Sequence, residues 1–212
     1  DAIARGRQAP DGGPVFLGPN SLGAISRPGG YDALFIPESR LDKRWSAAGR
    51  PGALISQSGA FIVSRMSNLE VLDPRIAISL GNQLDLTAAD IVRAVALRDD
   101  IQTIGIYVEG FTDLDGLALL QAIHAATAAG KDVVFYKAGR TESGRSAAAG
   151  HTAAVAGDYD VCENAAAQAG ALVADTFKEF EQMLELCTAL HDKHVGGVRL
   201  GAVSNAGFEC VG

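Results

Sequence analysis

Short, nearly unbroken apolar runs alternate along this chain with stretches of helical periodicity, and no other feature restricts the fold as much. The runs are residues 15–17, 53–56, 76–79, 103–108, 132–137, 171–173 and 199–203. Each is too short for a helix and lacks the polar alternation of a half-exposed strand, so each reads as a strand buried on both faces. Between them, residues 87–97 carry Ile91, Val92 and Val95 on one stripe. Residues 117–129 carry Leu117, Leu120 and Ile123, and residues 177–190 carry Phe177, Phe180, Met183, Leu184, Cys187 and Leu190. Asp113 and Thr176 stand at N-cap positions, and Gly130 and Gly170 where helices stop. The expected class is α/β, a parallel sheet with helices on both faces.

Composition narrows the function. A net charge of −7 argues against nucleic acid, which needs clustered basic surface. No apolar run approaches the roughly 20 residues that span a bilayer. Three cysteines without a paired spacing (Cys162, Cys187 and Cys210) point to a reduced, cytoplasmic protein. The four histidines (His124, His151, His191 and His194) form no metal-ligand pattern, so no metal site is expected. His124, His191 and His194 lie on helices and read as structural.

The residues with chemical potential fall just after strands, where open α/β sheets bind ligands. Ser56-Gln57-Ser58-Gly59-Ala60 turns from a strand into a helix, whose free N–H groups and positive dipole end suit phosphate. The competing reading is an ordinary Ser-capped turn. Leu80-Gly81-Asn82 follows the next strand, where Gly81 permits close ligand approach and Asn82 offers an amide. Glu109 ends a central strand, placed either to orient an imidazole or to face solvent. After residues 132–137 comes a long loop of small residues that leaves His151 unobstructed, flanked by Lys137 and Arg140 as possible phosphate partners. Such loops are more often functional than not, and an imidazole can carry a covalent intermediate.

Taken together, six segments resemble the ADP-forming acetyl-CoA synthetase and succinyl-CoA synthetase α-subunit family. They are Leu17-Gly18-Pro19-Asn20-Ser21-Leu22-Gly23, Ile55-Ser56-Gln57-Ser58-Gly59-Ala60, Ser79-Leu80-Gly81-Asn82, Tyr107-Val108-Glu109-Gly110, Lys137-Ala138-Gly139-Arg140-Thr141 with Gly150-His151-Thr152, and Ser204-Asn205-Ala206-Gly207. The resemblance implies a flavodoxin-like, doubly wound parallel sheet over residues 30–195. Residues 1–29 would be the end of a Rossmann-type CoA-binding domain, and 196–212 the start of a second flavodoxin-like domain.

It also implies an enzyme, a nucleoside-diphosphate-forming acyl-CoA synthetase. His151 would carry the phosphoryl group and Glu109 would orient it as the catalytic pair. Ser56, Ser58, Gly59 and Ala60 would bind phosphate, and Asn20, Ser21, Gly81 and Asn82 would lie near CoA and the acyl group. CoA and a small carboxylic acid are the implied substrates. ATP, ADP and Mg would be held mainly by a separate ATP-grasp domain or subunit, in a dimer or α/β assembly. Two departures stand out: Ser21 where the family often has Cys, and Phe208 where a second glycine is expected. The alternative is a non-catalytic CoA-binding regulatory module of the same superfamily, for example one fused to an acyltransferase. Retention of both His151 and Glu109 argues against it.

Overall fold

The computed structural model describes residues 2–7, 9–10, 12–43, 49–68, 72–144, 159–194, 196–199, 201, 203 and 205–207. Within them a seven-stranded sheet runs β2-β1-β4-β3-β5-β6-β7. Its strands are β1 (Ala24–Ser26), β2 (Tyr31–Asp32), β3 (Arg50–Ser56), β4 (Pro74–Ser79), β5 (Thr103–Val108), β6 (Asp132–Lys137) and β7 (Leu172–Val173). From β3 onward every pairing is parallel, while β1 runs antiparallel to both β2 and β4. Counted from β3, the parallel strands stand in the order 2-1-3-4-5, the flavodoxin-like order, as expected.

The helices are α1 (Ala2–Arg7), α2 (Gly59–Asn68), α3 (Ala88–Ala96), α4 (Asp115–Ala128), α5 (Tyr159–Gln168) and α6 (Phe177–Leu190). They cover both faces because β-branched strand residues present apolar surface on both. Ile55, Ile104, Ile106, Val133 and Phe135 pack beneath α3, α4 and α5. Leu54, Ala77, Tyr107 and Val134 pack beneath α2 and α6, with Phe61, Phe180 and Leu184 filling that layer. All six residues of β5 are buried, which accounts for its unbroken apolar sequence. Among the described residues no helix is long and apolar enough to cross a membrane.

Several expectations are corrected. Residues 15–17 form no strand. Phe16 instead donates its N–H to Asp85 Oδ2 (2.8 Å) and accepts from the Leu86 N–H, tying the segment to the turn after β4. The described residues of 199–203 (Arg199, Gly201 and Val203) are not strand either. The hairpin β1–β2 went unforeseen because strands of three and two residues are too short to show a period. The cap of α4 is Leu114 at φ 65°, not Asp113, and Leu114 makes no side-chain cap bond. Thr176 does cap α6, accepting from the Glu179 N–H at 3.1 Å, and Gly130 and Gly170 stop their helices at φ +82° and +97°.

Candidate functional site

Strand register brings the interesting residues to one edge. Ser56 aligns with Ser79 on β4 and with Tyr107 on β5, and Val108 aligns with Lys137 on β6. The segments beginning at Gln57, Leu80, Glu109 and Ala138 therefore all leave the carboxyl edge of the sheet. β3 and β5 are the neighbours between which the chain reverses its winding, the place where this architecture opens a crevice. A cleft of about 280 Å³ lies there, lined by Asn20, Ser21, Leu22, Gln57, Ser58, Gly59, Ala60, Gly81, Asn82 and Glu109. That volume is at the low end for small-ligand pockets, so it suits a phosphate or small acyl group better than a whole nucleotide.

One wall is the start of α2. Gly59 and Ala60 are its first residues, where helical N–H groups lack an intrahelical acceptor and the dipole is positive. No acidic residue occupies the first turn to neutralise that end. Ser58 lines the cleft, and its Oγ accepts the Phe61 N–H at 3.4 Å. Ser56 has a different place from the one expected. It is fully buried, its hydroxyl donates to Ser58 O (2.7 Å) and accepts from Ser58 N (3.0 Å), and it braces the turn rather than facing the cleft.

The opposite wall comes from the loop before β1. Gly81 sits at φ +61° against Pro19 and Asn20, and the Asn82 N–H donates to Pro19 O at 2.8 Å. Asn20 Nδ2 points to Asn82 Oδ1 across 3.5 Å. Ser21 lines the cleft with its proton committed, because Oγ donates to Ser79 O at 2.6 Å. Leu22 was not anticipated as a site residue. It packs so closely on Gly59 that a Cβ there would lie 2.3 Å from Leu22 Cγ, joining the two walls.

Glu109 forms the floor and is 8% exposed. The Tyr107 hydroxyl donates to its Oε1 at 3.2 Å. Burial, and next the Glu109 charge, push the Tyr107 pKa well above the ordinary phenol range, which keeps that donor protonated. Gln57, seen in the sequence only as part of a turn, is buried and bonds the Glu109–Gly110 backbone. Lys137 is also buried, 2% exposed, and donates to Glu109 O (3.2 Å) and Ala138 O (2.9 Å) rather than flanking a phosphate loop. Burial lowers its pKa from the ordinary lysine value. A long polar side chain immediately after a buried strand was the available clue for Gln57.

His151 lies outside the described residues. His124 and His194 are exposed, and His191 pairs its Nδ1 with Asp132 Oδ2 at 2.9 Å, away from the cleft at the amino end of β6. Among the described residues no group of three or more His, Cys, Asp or Glu is placed to hold a metal ion.

Residues 49–188 match the family described as succinyl-CoA ligase like flavodoxin domain. Over 195 residues the chain is 33% identical to the acetate–CoA ligase (ADP-forming) II subunit alpha of Pyrococcus furiosus, covering 91% of this chain and 39% of that protein. It is 28% identical over 199 residues to the 4-hydroxybutyrate–CoA ligase (ADP-forming) of Nitrosopumilus maritimus, covering 92% and 27%. Among solved structures it resembles the dinucleotide forming acetyl-coenzyme A synthetase 1 of Ca. Korarchaeum cryptofilum in complex with phosphate and ADP. The TM-score is 0.71 at 30% identity, over 84% of this chain and 37% of that one. The chain thus spans well under half the length of these relatives. With a matched segment that contains β3 to β6, the cleft's α2 wall and Glu109, this chain belongs to the succinyl-CoA-ligase-like flavodoxin domain family.

Proposed function

We propose that this chain is the phosphoryl-carrying portion of a nucleoside-diphosphate-forming acyl-CoA synthetase. It would interconvert acyl-CoA, ADP and phosphate with carboxylic acid, CoA and ATP. The observation that carries the reading is the pairing, across one small cleft, of a helix N-terminus that has no acidic residue in its first turn with a buried carboxylate. The first suits a phosphoryl group and the second suits an imidazole that must attack it.

In the acyl-CoA-consuming direction, a phosphate oxygen attacks the thioester carbonyl, and the C–S bond breaks to release CoA and leave an acyl phosphate. A nitrogen of His151 then attacks phosphorus. The N–P bond forms as the acyl O–P bond breaks, and the carboxylic acid departs as carboxylate. ADP takes the phosphoryl group from His151, with ATP, ADP and Mg held by an ATP-grasp domain or subunit. Here the amides of Gly59 and Ala60 and the hydroxyl of Ser58 hold phosphoryl oxygens, and Glu109 fixes the imidazole. Stabilisation is by fixed dipoles already in place before reaction. Asn20, Ser21, Gly81 and Asn82 border the acyl and CoA side. Relatives are named for acetate, 4-hydroxybutyrate and trans-feruloyl-CoA, which supports a carboxylic acid as the acyl donor or product.

The same reading assigns residues 1–29 to the end of a CoA-binding domain, 30–195 to the flavodoxin-like domain and 196–212 to the start of a second one, with the β1–β2 hairpin straddling the first boundary and β1 pairing with β4. The free thiols of Cys162 and Cys187 fit a cytoplasmic setting. The test is phosphorylation of the full-length protein with its ATP-grasp partner, using γ-labelled ATP and Mg²⁺. Acid-labile, base-stable label is expected, and it disappears in His151→Ala. No label with an active partner would overturn the synthetase reading in favour of a regulatory CoA-binding module.

A further inference from the structure

The Glu109–Gly110 turn is held by side chains from two neighbouring strands' ends. Gln57 Oε1 accepts both the Glu109 N–H and, at 3.1 Å, the Gly110 N–H, while Gln57 Nε2 donates to Gly110 O at 2.9 Å. From the other side Lys137 Nζ donates to Glu109 O at 3.2 Å. All four main-chain polar groups of these two residues are thus bonded by two side chains. Tyr107 fixes the carboxylate itself through Oε1.

Both clamping groups are expensive to place. Gln57 is 6% exposed, and a buried primary amide is unfavourable unless its bonds are made. Lys137 is 2% exposed, and its ammonium donates to the main-chain carbonyls of Glu109 and Ala138. A methionine would fill the same space without the desolvation of an ammonium. A turn leaving a parallel strand is ordinarily satisfied by backbone and water. Here it is fixed by a bidentate amide and a buried cation, on the residue whose carboxylate floors the cleft.

We propose that Gln57 and Lys137 are positioning residues that hold Glu109 in one orientation, so that the imidazole it meets is aligned for attack on phosphorus. This rests on the synthetase reading and adds to it two residues whose side-chain polar atoms bond main-chain groups, Gln57 from within the cleft lining and Lys137 from beneath it. Their loss should slow phosphoryl transfer while leaving substrate affinity nearly intact, because the amides of Gly59 and Ala60 and the Asn20 side of the cleft are untouched.

The experiment uses full-length protein with its ATP-grasp partner. Variants Gln57→Leu, Gln57→Glu and Lys137→Met are compared with wild type, with Glu109→Gln and His151→Ala as references. Gln57→Leu should lower kcat by about 100-fold, as a displacement of about 1 Å can, with KM for CoA and acid changed less than about threefold. Gln57→Glu keeps the acceptor for both amides and should recover about tenfold of that loss. Lys137→Met should lower kcat with KM likewise unmoved.

Amide hydrogen exchange supplies a readout independent of catalysis. Exchange at Glu109 and Gly110 should accelerate in Gln57→Leu while Ile104 and Ile106 of β5 keep their protection. Wild-type kcat in both Gln57→Leu and Lys137→Met, alongside a crippled Glu109→Gln, would overturn the proposal and leave the synthetase reading standing. Unchanged exchange at both amides would overturn the clamp itself. Wild-type protein that takes no label on His151 would instead overturn the synthetase reading, and the catalytic role of the clamp with it.

Discussion

Gly81 shows how far a single residue governs the cleft. Its φ of +61° and a Cβ position 2.2 Å from Pro19 O leave no room for a side chain. Gly81→Ala should cost at least about 2 kcal/mol, from the left-handed backbone and the clash together. Urea denaturation of the purified protein would measure it, and an unchanged midpoint would contradict the packing described. The sequence already made Glu109 stand out, since a carboxylate right after an apolar strand is not placed there for packing, whereas Gly81 could equally be read there as an ordinary turn glycine. The sequence made Ser56 and Ser58 look equivalent. They differ because the turn folds back on itself and uses the Ser56 hydroxyl for its own amide and carbonyl.

At the scale of elements, caps and periodicity explain most of what formed where expected. Helix α3 begins with a capping box in which Thr87 accepts from the Asp90 N–H and Asp90 accepts from the Thr87 N–H at 3.0 Å. Thr87→Ala should destabilise the domain by about 1 kcal/mol, seen as a lowered thermal midpoint with native secondary structure retained. An unaltered midpoint would mean that tertiary packing alone holds that end. Buried Ala88, Ala89, Val92 and Val95 follow the helical stripe, which is why α3 was legible. Helix α4 was legible in its body but not at its start, because Leu114 adopts a left-handed φ that its apolar side chain does not advertise.

Across the whole molecule, burial raises several groups that lose protons at high pH. Cys162 and Cys187 are pushed up to about 11 from 9.0, and Tyr159 to about 12 from 10.0, with Tyr107 and Tyr136 also raised. Each contributes stability that is complete below its unfolded pKa and is lost as pH rises through its folded one. Buried Lys137 works in the opposite sense, since its lowered pKa makes stability rise with pH up to the ordinary lysine value of 10.5. Five raised groups against one lowered lysine predict a thermal midpoint that falls as pH climbs above about 9. A midpoint flat from there to pH about 11 would show that these thiols and phenols are not buried as described.

By itself the sequence determined the α/β class, the strands β3 to β6, the helical stripes and the positions after strands at which chemistry could occur, because these depend on local periodicity and on residues adjacent in the chain. Only the tertiary structure decided the 2-1-3-4-5 order, the β1–β2 hairpin on the sheet edge and the closing of the cleft by Leu22 on Gly59. It likewise decided that Gln57 meets Gly110 across 53 residues of chain and Lys137 meets Glu109 across 28. Such contacts exist only once particular strands become neighbours, and that choice is made by burying two apolar faces at once, which no single segment encodes.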